Sequence, residues 1–163
     1  MNVELSTTIK IKGTSEDLLS MLKALKEYEV KYSGPYKGDF VGTACVDNGE
    51  KECYVYEMNT EEMAEFLSAA GGEVLITSDG LFNPRDCNLF ETLAEAAPQA
   101  SFEGCIEADG DETHDVLDGD FKDGILSLDL SYLDGAEDYE ETEELIEKCE
   151  KKIYDPVKKS YKK

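Results

Sequence analysis

The run Asp109-Gly110-Asp111-Glu112-Thr113-His114-Asp115-Val116-Leu117-Asp118-Gly119-Asp120 comes nearest, in residue type and spacing, to a metal-binding motif. It offers oxygen ligands at the first, third, fifth and twelfth positions of a calcium loop. Such a loop needs glycine at its sixth position and a bidentate glutamate at its twelfth, where His114 and Asp120 stand instead. Strand-like rather than helical sequence flanks the run, so an acidic, solvated turn is expected, and folding is expected to need no metal. His114 is the only histidine. It lies in a polar turn with no cysteine or serine close in sequence, which makes it an exposed bystander rather than half of a catalytic dyad. The five cysteines, Cys45, Cys53, Cys87, Cys105 and Cys149, are odd in number, scattered and without a C-x-x-C pair. Reduced thiols packed as small apolar groups are expected, not a disulfide framework or a zinc site. No Gly-rich phosphate loop, H-E-x-x-H or G-x-S-x-G is present. The expectation is therefore a non-enzymatic protein without a cofactor. An enzymatic alternative would need a pocket that gathers Cys87 or His114 with other polar groups.

Charge says more than these motifs. The net charge is -22 over 163 residues, and it is unevenly spread. Residues 103–150 hold 19 acids against two lysines, whereas residues 151–163 hold six lysines against Asp155. A stretch this negative repels phosphate backbones and anionic lipid, so direct nucleic-acid and membrane binding are excluded as expectations. A basic protein surface would be attracted to it over about 8–10 Å at ordinary salt. The N-terminus has neither a basic segment nor an apolar core of secretory type, and no apolar run is long enough to span a bilayer, so a cytoplasmic location is expected.

The elements that must position these residues follow from periodicity. Val3, Leu5, Thr7, Ile9 and Ile11 alternate with polar neighbours, the pattern of a half-buried strand. Thr14 and Ser15 offer a capping hydroxyl, after which Leu18, Leu19, Met21, Leu22, Leu25 and Tyr28 recur at helical spacing. Phe40–Val46 and Glu52–Met58 are expected as a hairpin around Asn48-Gly49, whose two-residue turn would pair Cys45 with Glu52 and Ala44 with Cys53. That puts Tyr54 and Tyr56 on one face with Cys45. A short helix over 61–70, closed by Gly71-Gly72, and a strand at Val74–Thr77 complete a β-α-β-β-α-β order. Residues 1–78 are thus expected to form a ferredoxin-like split β-α-β unit, with Leu5, Ile9, Leu18, Leu22, Leu25, Phe66, Leu67, Val74 and Ile76 in its core. Residues 79–152 are expected as an acidic α-β-β-β-α half packed on it. This half has a helix around Leu89–Ala97, strands at Ser101–Ala108, Val116–Phe121 and Ile125–Tyr132, and a last helix over Ala136–Lys152. That last helix would be rich in Glu at its start and Lys at its end, matching the macrodipole. Residues 153–163 are a Lys-rich tail. The expected fold class is α+β.

The stretch 89–104, from Leu89-Phe90-Glu91-Thr92-Leu93 through Pro98 to Phe102-Glu103-Gly104, with Asp118-Gly119-Asp120-Phe121 downstream, resembles the YubB-type ferredoxin-like domain of plasmid and phage accessory proteins. The resemblance covers roughly a quarter of the chain. It implies a ferredoxin-like fold and a mobile-element accessory role, and it brings no catalytic residues.

Two functions of different class follow. The first is an inhibitor or sequestering protein that imitates a phosphate array, as an anti-restriction or anti-CRISPR protein would, and so binds a basic, nucleic-acid-handling protein. Its candidate partner-binding residues are Asp109, Asp111, Glu112, Asp115, Asp118 and Asp120 in one turn, and Glu137, Asp138, Glu140, Glu141, Glu143 and Glu144 at one helix start. If it holds, these carboxylates share one exposed surface. The second is a neutral interaction or assembly module using the sheet face around Tyr54 and Tyr56, with the acids serving only solubility. The oligomeric state is left open by the sequence.

Overall fold

The computed structural model of the chain describes residues 3–33, 43–79, 82–85, 87–110, 114–135 and 145–162. Among the described residues, nine strands form one antiparallel sheet and three helices pack against it, an α+β architecture. In chain order the elements are β1 (Val3–Lys12), α1 (Ser15–Ser33), β2 (Ala44–Asp47), β3 (Glu52–Tyr54), a 3-10 turn (Val55–Glu57), α2 (Thr60–Ser68), β4 (Glu73–Asp79), α3 (Leu89–Ala96), β5 (Ser101–Gly110), β6 (His114–Lys122), β7 (Ile125–Gly135), β8 (Leu145–Asp155) and β9 (Ser160–Tyr161). Their order across the sheet is β3-β2-β4-β1-β5-β6-β7-β8-β9. Among the described residues, no helix is long and apolar enough to cross a membrane.

Local chemistry explains most boundaries. The Thr14 hydroxyl accepts from the Asp17 amide at 3.1 Å and Asp17 accepts from the Thr14 amide at 3.4 Å, which caps α1. Asn59 and Glu62 form the same reciprocal box at the start of α2, at 2.8 and 3.1 Å. Asp123 and Gly124 both take positive φ, 52° and 78°, and join β6 to β7 in a two-residue turn that pairs Lys122 with Ile125. The expected core is found: Ile9, Leu18, Leu22, Leu25, Phe66, Leu67, Val74 and Ile76 are buried, and Leu5 is half-buried.

Three expectations are corrected. The order β-α-β-β-α-β of residues 3–79 is present, but a ferredoxin-like unit built from it would place β3 between β1 and β2. Instead β4 lies there and β3 is at the sheet edge. The reason is composition: Val74-Leu75-Ile76-Thr77 suits a strand flanked on both sides, while three-residue β3, with exposed Glu52 and Tyr54, suits an edge. The hairpin register also differs, pairing Cys45 with Tyr54 and Val46 with Cys53. A longer loop forms because Asn48 is buried: it donates to the Phe66 carbonyl at 2.8 Å and accepts from the amides of Glu50 and Lys51. Cys45 and Cys53 still face opposite sides, but Tyr56 leaves the strand for the 3-10 turn.

The third correction is the last helix. Leu145–Asp155 is a strand that pairs with β7 along ten positions, from Leu126 opposite Tyr154 to Gly135 opposite Leu145. Residues 136–144 of the expected helix lie outside the described residues. The sheet also runs across the expected boundary at residue 78, because β1 pairs with β4 on one side and with all of β5 on the other.

Candidate functional site: the uncovered sheet face

Strand alternation sorts every residue of this sheet to one of two faces. One face bears Ile9, Ile11, Ile76, Phe102, Ile106, Leu117, Phe121, Leu126 and Leu128, which join helix residues such as Leu22 and Phe90 in a single core. Gly104 and Gly119 are opposite each other on this face, and the Phe90 ring of α3 rests on Gly119. A Cβ there would come within 2.8 Å of the ring carbons.

The other face carries no helix among the described residues. Register places its side chains in rows running across the strands. One row is Tyr54, Cys45, Thr77, Thr8, Cys105, Asp118, Asp129 and Lys151, and the next is Glu52, Asp47, Leu75, Lys10, Glu103, Asp120, Ser127 and Ile153. Its central part forms a trough of about 960 Å³ that spans β1, β4, β5, β6, β7 and β8. The floor mixes Leu75, Ile153 and glycine backbone with Glu103, Asp118, Asp120 and Asp129.

Two pairs of acids stand directly opposite one another, Glu103 with Asp120 and Asp118 with Asp129. Lysines balance only their outer members, since Lys10 is opposite Glu103 and Lys151 is opposite Asp129. Asp118 has Cys105 and Asp129 as its cross-strand neighbours, and Asp120 has Glu103 and Ser127. The Lys10 ammonium is drawn sideways to Glu73, at 3.9 Å, which Lys12 also reaches at 3.6 Å.

Two thiols on this face are bound to its carboxylates. The Cys149 thiol donates to Asp129 at 2.7 Å, and that bond raises its pKa above the ordinary thiol value. Cys105 is pushed up to about 11, first by burial and then by the charges of Asp118 and Glu107. Both shifts favour the protonated thiol, so neither cysteine is an activated nucleophile. His114 bonds Glu107 at 3.0 Å in an exposed cross-strand contact, and Cys87 accepts from the Leu89 amide at 3.3 Å. Burial raises the Cys87 thiol as well.

The sequence-predicted residues divide. Asp109, Asp118 and Asp120 share the uncovered face and are exposed. Asp115 does not join them: one residue's difference in parity turns it to the covered face, where it is 4% exposed and pairs with Arg85 at 2.8 and 3.1 Å. Asp111, Glu112, Glu137, Asp138, Glu140, Glu141, Glu143 and Glu144 lie outside the described residues. Tyr54 stacks on Tyr56 with centroids 5.7 Å apart, at the sheet edge rather than on a central strand. Sequence reasoning missed Glu103, Glu107, Asp129 and Lys151 as members of the face. The period-2 alternation of their strands was the signal that groups them with Asp118 and Asp120.

No protein-family model, curated protein or solved structure matches this chain.

Proposed function

We propose that the protein is a non-enzymatic binding protein whose uncovered sheet face receives a basic protein, with its carboxylates standing where that partner otherwise holds phosphates. The observation that carries this reading is the pair of opposed like charges, Glu103 with Asp120 and Asp118 with Asp129. Like charges directly opposite on a sheet cost stability. Solubility is served by acids placed anywhere on a surface, so it does not account for acids placed where they repel. The spacing also suits a cationic partner, with strands about 4.8 Å apart and same-face residues about 6.7 Å apart along a strand. The trough walls add apolar contact around this charge. An anti-restriction or anti-CRISPR inhibitor from a mobile element is the specific form of this role that agrees with the YubB-type resemblance. We also propose that the fold is a split β-α-β unit of β1, α1, β2, β4, α3 and β5, with β3 and α2 as an insertion. The order β2-β4-β1-β5 and the packing of α3 against α1 support it.

An arginine- and lysine-rich peptide is the first probe, titrated at low and high salt against the wild type and two charge-matched variants. Asp118→Asn/Asp120→Asn removes two charges from the face, and Glu27→Gln/Glu65→Gln removes two exposed charges from the helices. The first variant is expected to weaken binding and flatten its salt dependence, and the second to leave both near wild type. Equal losses from both variants would show attraction to net charge alone and would defeat the face. Salt-independent capture of a partner that is abolished by Tyr54→Ala would move the site to the exposed Tyr54–Tyr56 edge.

A further inference from the structure

The long edge of β8 presents the other unassigned surface. β7 covers one side of this strand throughout, but β9 pairs only with Tyr154 and Asp155. Among the described residues, no strand pairs with the outer side of residues 147–151, and an open edge of that length is a template for another strand. The Lys162 amide donates to the Ile153 carbonyl at 2.8 Å, so the backbone groups of Ile153 point outward. In antiparallel pairing those directions alternate, so Lys151, Cys149 and position 147 also point outward. A second β8 added antiparallel must therefore set outward residues opposite outward residues.

That parity leaves few registers. With the twofold axis at Cys149, Lys148 falls opposite the second copy's Glu150, Glu150 opposite its Lys148, and Lys151 opposite its position 147, which is also acidic. Moving the axis by one residue sets Lys148 against itself or Glu150 against itself. The strand is also the part of this acidic chain that two copies can most easily bring together, since Lys148, Lys151 and Lys152 offset the acids at 147 and 150. We propose that two copies of this chain associate edge to edge through residues 147–151 of β8, with the twofold axis at Cys149. The two sheets then run on as one, and the uncovered faces of both copies lie on the same side. This proposal rests on β8 alone and stands whether or not the acidic face binds a basic protein.

Sedimentation of the full chain over a range of concentrations, at about 0.15 M salt to screen the repulsion of two acidic bodies, is the direct test. A monomer–dimer equilibrium is expected. Lys148→Glu and Glu150→Lys each turn two attractive contacts into repulsive ones and are expected to weaken the dimer about tenfold or more. The double variant Lys148→Glu/Glu150→Lys exchanges the charges and is expected to restore it. A hydrogen-bonded antiparallel pair holds its Cα atoms about 5.5 Å apart, within disulfide reach. Diamide, which takes up two electrons and two protons as two thiols join, is therefore expected to give a dimer linked through Cys149 and lost in Cys149→Ser. A chain that stays monomeric at every concentration, a double variant no better than the single ones, or a cross-link mapped to another cysteine would overturn the proposal.

Discussion

Replacing Asp118 and Asp120 with Asn is expected to make the protein more stable, although both substitutions fall in the surface proposed to bind. Across the strands Asp118 meets Cys105 and Asp129, and Asp120 meets Glu103 and Ser127, so neither acid has a lysine directly opposite. Removing their charges takes away two opposed like-charge pairs and no cross-strand attraction. The Cys105 thiol keeps an acceptor, because the Asn carbonyl replaces a carboxylate oxygen. At about 0.2–1 kcal/mol per opposed pair the gain is about 0.5–2 kcal/mol. For a chain of this size that is a rise of about 2–6 °C in Tm. Urea unfolding is the assay: the midpoint is expected to rise with an unchanged slope, and the gain to shrink as salt screens the repulsion. Asp129→Asn is the internal control, since it removes repulsion from Asp118 and attraction to Lys151 together and is expected to change little. A wild type as stable as the double variant, or an equal gain from Glu27→Gln/Glu65→Gln, would refute the reasoning. The acids would then act through total charge, and their positions would carry no meaning.

Two further outcomes follow from the same geometry. Gly119→Ala drives a Cβ to within 2.8 Å of the Phe90 ring, so a loss of about 1–3 kcal/mol is expected in urea unfolding, with partial rescue by Phe90→Leu. Cys105 is raised from 9.0 to about 11, so its alkylation by iodoacetamide at pH 8 is expected to run about a hundredfold slower than that of an unperturbed thiol, and its rate to keep climbing past pH 9. The raised value means that the folded chain holds this proton more tightly than the unfolded one. Its contribution to stability is thus full below pH 9 and is lost between pH 9 and about 11.

Alternation and capping were legible wherever apolar and polar residues contrast. Val3–Lys12 reads as a strand because Ile9 and Ile11 alternate with Lys10 and Lys12, and α1 and α2 read as helices because their caps and apolar spacing agree. Residues 145–155 lack that contrast: Glu147-Lys148-Cys149-Glu150-Lys151-Lys152 fits a period of two as well as one of 3.6. The charge gradient along 136–152 favours a helix locally, but β7 offers an edge with which residues 145–154 pair along ten positions, giving the backbone partners across the strands. Strand order was illegible for a similar reason. Which strand enters between β1 and β2 depends on how β3 and β4 compare as neighbours, and a reading of single elements does not make that comparison.

The same parity decides what the acidity means. Asp115, Asp118 and Asp120 look equivalent as members of one acidic run, yet the pleat separates them. Asp115 goes to the covered face, where a carboxylate needs a partner, and Arg85 supplies one in a bidentate pair. Asp118 and Asp120 go to the uncovered face, where water suffices for solvation and no partner is needed. There they meet further acids instead of the lysines that stability alone would favour, although Lys122 belongs to the same strand and Lys151 lies two strands away. A charge kept for stability would not sit opposite its like. Concentration of carboxylates on the face that no helix covers among the described residues is what the proposed cationic partner would require. The stability gained by Asp118→Asn/Asp120→Asn and the binding lost by it are therefore two measurements of one arrangement, and they must move in opposite directions.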